Sequence, residues 1–142
     1  MSTVRQLLQA KGAEIVAVAP QAPVIEALRV MAEHSIGAVL VMEGRRLAGI
    51  LSERDYARKV ALQGHSSRDT PVADIMTAQL VTVAPDTGID QCMKLMTERR
   101  IRHLPVLEGG EVVGVLSIGD LVKAVIEAQQ LELDHLQRYI AS

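Results

Sequence analysis

The chain has 142 residues, a formal net charge of −2, 49% hydrophobic residues, no Phe or Trp, and a single cysteine, Cys92. That length fills one good core but not two ordinary domains, and the slightly acidic balance withholds the basic surface that nucleic-acid binding needs. One cysteine excludes an internal disulfide and points to a reducing compartment, and no apolar run reaches signal-peptide or membrane-span length, so a cytoplasmic protein without nucleic-acid or membrane partners is expected.

An N-terminal helix is expected ahead of a short β-branched run at 15–18 that ends at Pro20. Val24, Ala27, Leu28 and Met31 then form the i, i+3, i+4, i+7 stripe of a helix with one buried face. "AVLVMEGRRLAGILS" (38–52) holds two apolar runs joined by a polar turn, which reads as a hairpin. A second helix starts at Ser52-x-x-Asp55. "QGHSSRDTPVADIMTAQ" (63–79) reads as a loop closing in a short helical turn. The same signals then return: a strand at 80–83 ending at Pro85, a stripe of Ile89, Cys92, Met93 and Met96, a hairpin over "LPVLEGGEVVGVLS" (104–117), and a helix from Ser117-x-x-Asp120. This last helix meets no Gly or Pro after Gly119 and should run to about Tyr139, with Leu133, Leu136 and Ile140 on one face of its overhang. An apolar stripe without a local partner calls for a second chain, so a homodimer is expected.

Sliding the chain by 65 positions lays residues 16–60 over 81–125 without a gap, and 15 of the 45 pairs are identical. The fold class that follows is α/β (α+β): two β-α-β-β-α repeats, each with a three-stranded sheet, packed by a pseudo-twofold, with a long C-terminal helix. The repeats divide at 1–65, which includes the N-terminal helix, and 66–142, which includes the linker and the extended last helix.

The doubled Ser-x-x-Asp has two physical readings. Ser52 and Ser117 are good N-caps, and an acid three places on is close to a capping box. A helix N-terminus directly after a strand also offers free N–H groups to an anion, and a carboxylate there can accept from both hydroxyls of a ribose. Both roles can coexist.

The pattern resembles a tandem pair of CBS (cystathionine β-synthase) domains, and more narrowly the stand-alone bacterial two-CBS proteins. The resemblance rests on "DIMT" (74–77), "VTVAPD" (81–86), "RRIRHLPVLEGGEVVGVLSIGDL" (99–121) and "GILSERDYARKV" (49–60), and it covers essentially the whole chain. It implies a regulatory, energy-sensing module of signal transduction that binds an adenine nucleotide in clefts between the repeats and does no catalysis. AMP comes first, with ADP, ATP, NAD or S-adenosylmethionine also in range, and an unidentified client protein would receive the signal. The other reading, from a different class, is a structural or protein-interaction dimer whose clefts are vestigial.

In similar proteins each cleft draws on both repeats. Carried over, one site would combine Val16, Ile36, Gly37 and Ala38 with Val115, Ser117 and Asp120. The other would combine Thr82 and Ile101 with Ile50, Ser52, Arg54 and Asp55. Arg102 and His103 stand where the family meets phosphate, and Arg58 and Lys123 lie one turn beyond each Asp. "IGAVLV" in the first repeat replaces "IRHLPV" in the second, so the two sites should differ in affinity. No recognisable motif ties His103 to a nucleophile or a carboxylate, so no catalytic residue is expected, and no His/Cys/Asp spacing suggests a metal. Cys92 sits on the buried stripe and reads as core.

Overall fold

The computed structural model describes residues 2–141, and its elements follow the order read from the sequence. Thr3 and Gln6 form a capping box at the start of α1 (Val4–Lys11), the Thr3 N–H donating to Gln6 Oε1 at 2.9 Å. Then come β1 (Ala17–Val18), α2 (Val24–His34), β2 (Ala38–Glu43), β3 (Arg46–Ser52) and α3 (Glu53–Tyr56). The chain leaves α3 through a π-helical turn over Ala57–Ala61, and the linker holds one 3-10 turn at Val72–Asp74. The second repeat gives α4 (Ile89–Arg99), β4 (His103–Glu108), β5 (Glu111–Ser117) and α5 (Ile118–Ala141).

Two compact units hold these elements. One comprises residues 14–81 with 110–112, and the other residues 2–13, 82–109 and 113–141. In the first, β1 pairs parallel with β2 across the α2 crossover, and β2 pairs antiparallel with β3, giving the order β1-β2-β3. Its core joins Val24, Ala27 and Met31 of α2 to Val39, Val41 and Leu51 of the sheet, closed by Val60, Val72 and Ile75. In the second unit Ile89, Cys92 and Met96 of α4, Leu104, Val106, Leu116 and Leu121 are buried, together with Val4, Leu7 and Leu8 of α1. Of the expected stripes, Val24, Ala27, Met31, Ile89, Cys92 and Met96 are core, while Leu28 and Met93 are partly buried.

One expectation needs correction. The strand expected at 80–83 is reduced to a single parallel bridge, Val83 to Val106, leaving a two-stranded β4-β5 sheet in place of three strands. In the first repeat the Leu40 N–H donates to Val16 O at 3.1 Å. Pro105 occupies the matching position and has no N–H, so the pairing keeps only the two bonds that flank Val83.

The segments that lead into the repeats dock in an order that chain position does not suggest. Residues 70–77 pack in the unit of the first repeat: Val72 N–H donates to Ala22 O at 2.8 Å, Ala73 N–H to Pro20 O at 2.8 Å, and Val24 N–H to Thr70 O at 2.9 Å. Residues 2–11 make the same contacts with the second repeat: Val4 N–H to Thr87 O at 2.9 Å, Arg5 N–H to Pro85 O at 2.8 Å, and Ile89 N–H to Ser2 O at 3.1 Å. The N-terminal helix, assigned by chain order to the first repeat, thus packs in the unit of the second.

Candidate functional site

Each unit builds one sheet end in the same way. Both crossover helices stop on a residue in the left-handed region, Ser35 (φ 53°) and Arg100 (φ 54°). The next N–H, from Ile36 or Ile101, donates back to Met31 O at 3.0 Å or Met96 O at 3.1 Å. This helix stop turns the chain straight into β2 or β4, and both units accept a non-glycine residue there at a cost of about 1 kcal/mol.

The segment so placed is tied to the next helix. Glu53 N–H donates to Gly37 O at 3.0 Å, and at the matching positions Ile118 N–H donates to Arg102 O at 2.8 Å. Ala38 pairs with Ser52 across β2 and β3. The first unit therefore gathers Ile36, Gly37 and Ala38 with Ser52 and Asp55 at one sheet end, and the second gathers Ile101, Arg102 and His103 with Ser117 and Asp120. Val16 and Thr82 lie on the neighbouring strand segments; Val16 O receives the Leu40 N–H. Ile50 pairs with Leu40 on one side and on the other exchanges two hydrogen bonds with Thr77, at 3.0 and 2.9 Å, so the outer edge of β3 is bridged at that residue.

The cap reading of Ser-x-x-Asp is met in both repeats. Asp55 N–H donates to Ser52 Oγ at 3.1 Å, while Asp55 Oδ2 receives the Ser52 N–H at 3.0 Å and the Ser52 hydroxyl at 3.0 Å. Asp120 N–H donates to Ser117 Oγ at 3.1 Å, and Asp120 Oδ2 receives the Ser117 N–H at 2.8 Å. Both acids are half-buried, so each is a fixed, partly desolvated acceptor as well as a cap.

Both carboxylates also meet a lysine that the sequence reading did not single out. Lys59 Nζ lies 3.2 Å from Asp55 Oδ1 and donates to Ile75 O at 3.0 Å. Its i, i+4 spacing from Asp55 is a signal that could have found it. Lys11 Nζ donates to Asp120 Oδ2 at 2.7 Å and to Val115 O at 2.8 Å. No local pattern announces that pairing, because it joins residues 109 positions apart. Arg54, Arg58, Arg102 and Lys123 form no side-chain hydrogen bond or ion pair with other described residues and are exposed to solvent.

Burial would raise the Asp120 carboxyl, but the Lys11 hydrogen bond and the Ser117 N–H outweigh it and hold the group below the usual aspartate value. His103 moves the other way: burial pushes it below the ordinary histidine value, with Arg102 and Lys11 adding to the effect and Asp120 opposing it. It is therefore a neutral imidazole at pH 7 beside an ionised acid. Burial raises the Cys92 thiol, which removes the thiolate a nucleophile needs. Among the described residues no cluster of three or more His, Cys, Asp or Glu could hold a metal ion, and no helix is long and apolar enough to cross a membrane.

Comparison with known proteins agrees with this architecture. The family model for the CBS domain matches residues 5–62 and 72–127. A CBS domain-containing protein, CBSX3, mitochondrial, from Arabidopsis thaliana is 46% identical over 122 residues, covering 82% of this chain and 59% of that protein. The chain thus spans about three fifths of the length of that relative. The structure of a putative signal-transduction protein with CBS domains from Burkholderia ambifaria superposes with a TM-score of 0.87 at 53% identity, covering 90% of this chain and 96% of that one. The CBS domain pair of protein MJ0100, solved in complex with 5-methylthioadenosine and S-adenosyl-L-methionine, shares the fold, with a TM-score of 0.80 at 20% identity over 90% of this chain and 98% of that one.

Proposed function

The chain belongs to the CBS-domain family as a tandem pair of repeats, and from that premise we propose that it is a regulatory module that binds an adenine nucleotide, AMP before ADP, ATP or NAD, and performs no catalysis. The observation that carries this reading is the doubled sheet end. In each unit a half-buried carboxylate, Asp55 or Asp120, stands at the first turn of a helix, held by a serine N–H. Oδ1 of Asp120 keeps its acceptor capacity for a ribose hydroxyl, and Arg102, Arg58 and Lys123 offer uncommitted cations to a phosphate. The apolar residues beside the acids (Ile36, Ala38, Ile50, Ile101 and Val115) suit an adenine ring. A family member binding two adenosine compounds supports the ligand class.

Thermal unfolding in the presence of AMP, ADP, ATP, NAD and S-adenosylmethionine tests the reading. A ligand at about 100 times its Kd stabilises the fold by about 2.7 kcal/mol, a shift of several degrees for a chain of this size. No shift with any of the five would refute nucleotide sensing.

A separate feature supports assembly, which is the heart of the alternative reading as an interaction protein. α5 runs 24 residues, and Val122, Ile126, Leu133, Leu136 and Ile140 are all exposed on it. With Gln129 they recur at alternating spacings of four and three, the seam of a helix that packs along another helix. A second copy of the chain is the partner proposed, through α5, and a hexameric CBS-CP12 protein from bloom-forming cyanobacteria, similar in structure, supports assembly.

A further inference from the structure

Lys11 closes α1, yet its ammonium rests on an acid of the last helix. It shares Asp120 Oδ2 with the Ser117 N–H, so two donors already occupy that oxygen. A ribose diol arriving at Asp120 finds only Oδ1 open unless the ammonium moves aside. The first repeat is built differently, since its lysine comes from the π-helical turn that directly follows the acid's helix and sits on Oδ1.

The surrounding charges differ as well. Across the 65-residue repeat Arg102 stands where Gly37 does, and Ile118 where Glu53 does, while Arg58 and Lys123 match. At the Asp120 end Lys11 holds the one carboxylate, and Arg102 and Lys11 both act on His103, which burial keeps neutral. At the Asp55 end Lys59 pairs with Asp55, and the same helical turn carries a second acid, Glu53, and a second cation, Arg54.

We propose that Lys11 is the specificity-determining residue of the Asp120 end, selecting adenosine ligands that carry a 5′-phosphate over nucleosides that are neutral or cationic. The inference rests on the ribose role given above to Asp120. A nucleoside 5′-phosphate lets the ammonium exchange its bond to the neutral Val115 carbonyl for a charge-assisted bond to phosphate. A neutral nucleoside must share or displace the lysine and returns nothing for it. A sulfonium ligand brings a like charge into a cluster already rich in cations.

Lys11 can be replaced without undocking α1, because Val4, Leu7 and Leu8 are the buried residues of that helix and Lys11 is at its solvent end. The test is calorimetric titration of AMP, adenosine and S-adenosylmethionine in an Asp55→Ala background, with Lys11 intact, as Lys11→Gln and as Lys11→Arg, after unfolding curves show equal Tm. The AMP-over-adenosine affinity ratio should fall about tenfold in Lys11→Gln and be kept in Lys11→Arg. An unchanged ratio in Lys11→Gln, with binding still abolished by Asp120→Ala, overturns the role of Lys11 and leaves the ribose reading standing. Binding that survives Asp120→Ala overturns the ribose reading and this inference together.

Discussion

Gly49→Ala tests the docking of the linker segment onto the first repeat. A Cβ at position 49 would stand 2.7 Å from Met76 Sδ and 2.8 Å from the backbone oxygen of Thr77. Non-bonded heavy atoms settle at about 3.5 Å or more, so residues 76–77 must retreat by over half an ångström. Met76 can swing away, but the Thr77 backbone is held by the two hydrogen bonds to Ile50. Weakening both costs about 1 kcal/mol each, and overpacking adds about 1–3, so a loss of about 3–5 kcal/mol is expected. Gly114 is the control. It is the matching glycine of the second repeat, and the nearest atoms its Cβ would meet belong to the Leu8 side chain, the two methyls at 2.7 and 3.0 Å. A side chain can rotate where a backbone cannot, so Gly114→Ala should cost less, about 1–2 kcal/mol. Urea unfolding at constant m measures both, and faster amide exchange at Thr77 in Gly49→Ala alone would localise the effect. A Gly49→Ala loss below that of Gly114→Ala, or no change in Thr77 exchange, would refute the reasoning.

Three further outcomes are expected. Asp55→Ala and Asp120→Ala should each cost the fold about 1 kcal/mol, yet weaken AMP binding by about 30- to 1,000-fold, as titration calorimetry would read; unchanged affinity in both leaves the acids as caps alone. His103 is held below its ordinary value in the folded chain, so the unfolded chain binds more protons once the pH drops beneath about 6.5. Its contribution is therefore complete above that pH and is lost as pH falls toward the depressed folded value; urea midpoints at pH 8, 7, 6 and 5 should show a slope that His103→Gln reduces. A chain ending at Gln129 lacks Leu133, Leu136 and Ile140 and should sediment as a weaker dimer than the full chain; equal dimers would place the interface elsewhere.

What the sequence alone determined is whatever short-range chemistry encodes. The helix stripes, the hairpins, the serine caps and the solvent-facing seam of α5 are each written within one element or across one turn, and the 65-residue repeat is those local signals occurring twice. Their causes, side-chain period, turn geometry and an oxygen three residues from an N–H, act over a few positions. Only the tertiary structure decided which leading segment serves which repeat. Residues 4–8 correspond in their docking to 72–76, an offset of 68 that the 65-residue slide passes over, and of those five pairs only Val4 and Val72 are identical. The choice rests on backbone hydrogen bonds and buried aliphatic contacts that leave no periodic trace. The loss of a strand at 80–83 shows the same limit. Pro105 was visible, but its effect depends on which neighbour its missing N–H would have faced. Lys11 reached Asp120 for the same reason: a pairing across 109 positions belongs to the folded surface, where docking of α1 brings the ammonium to the acid.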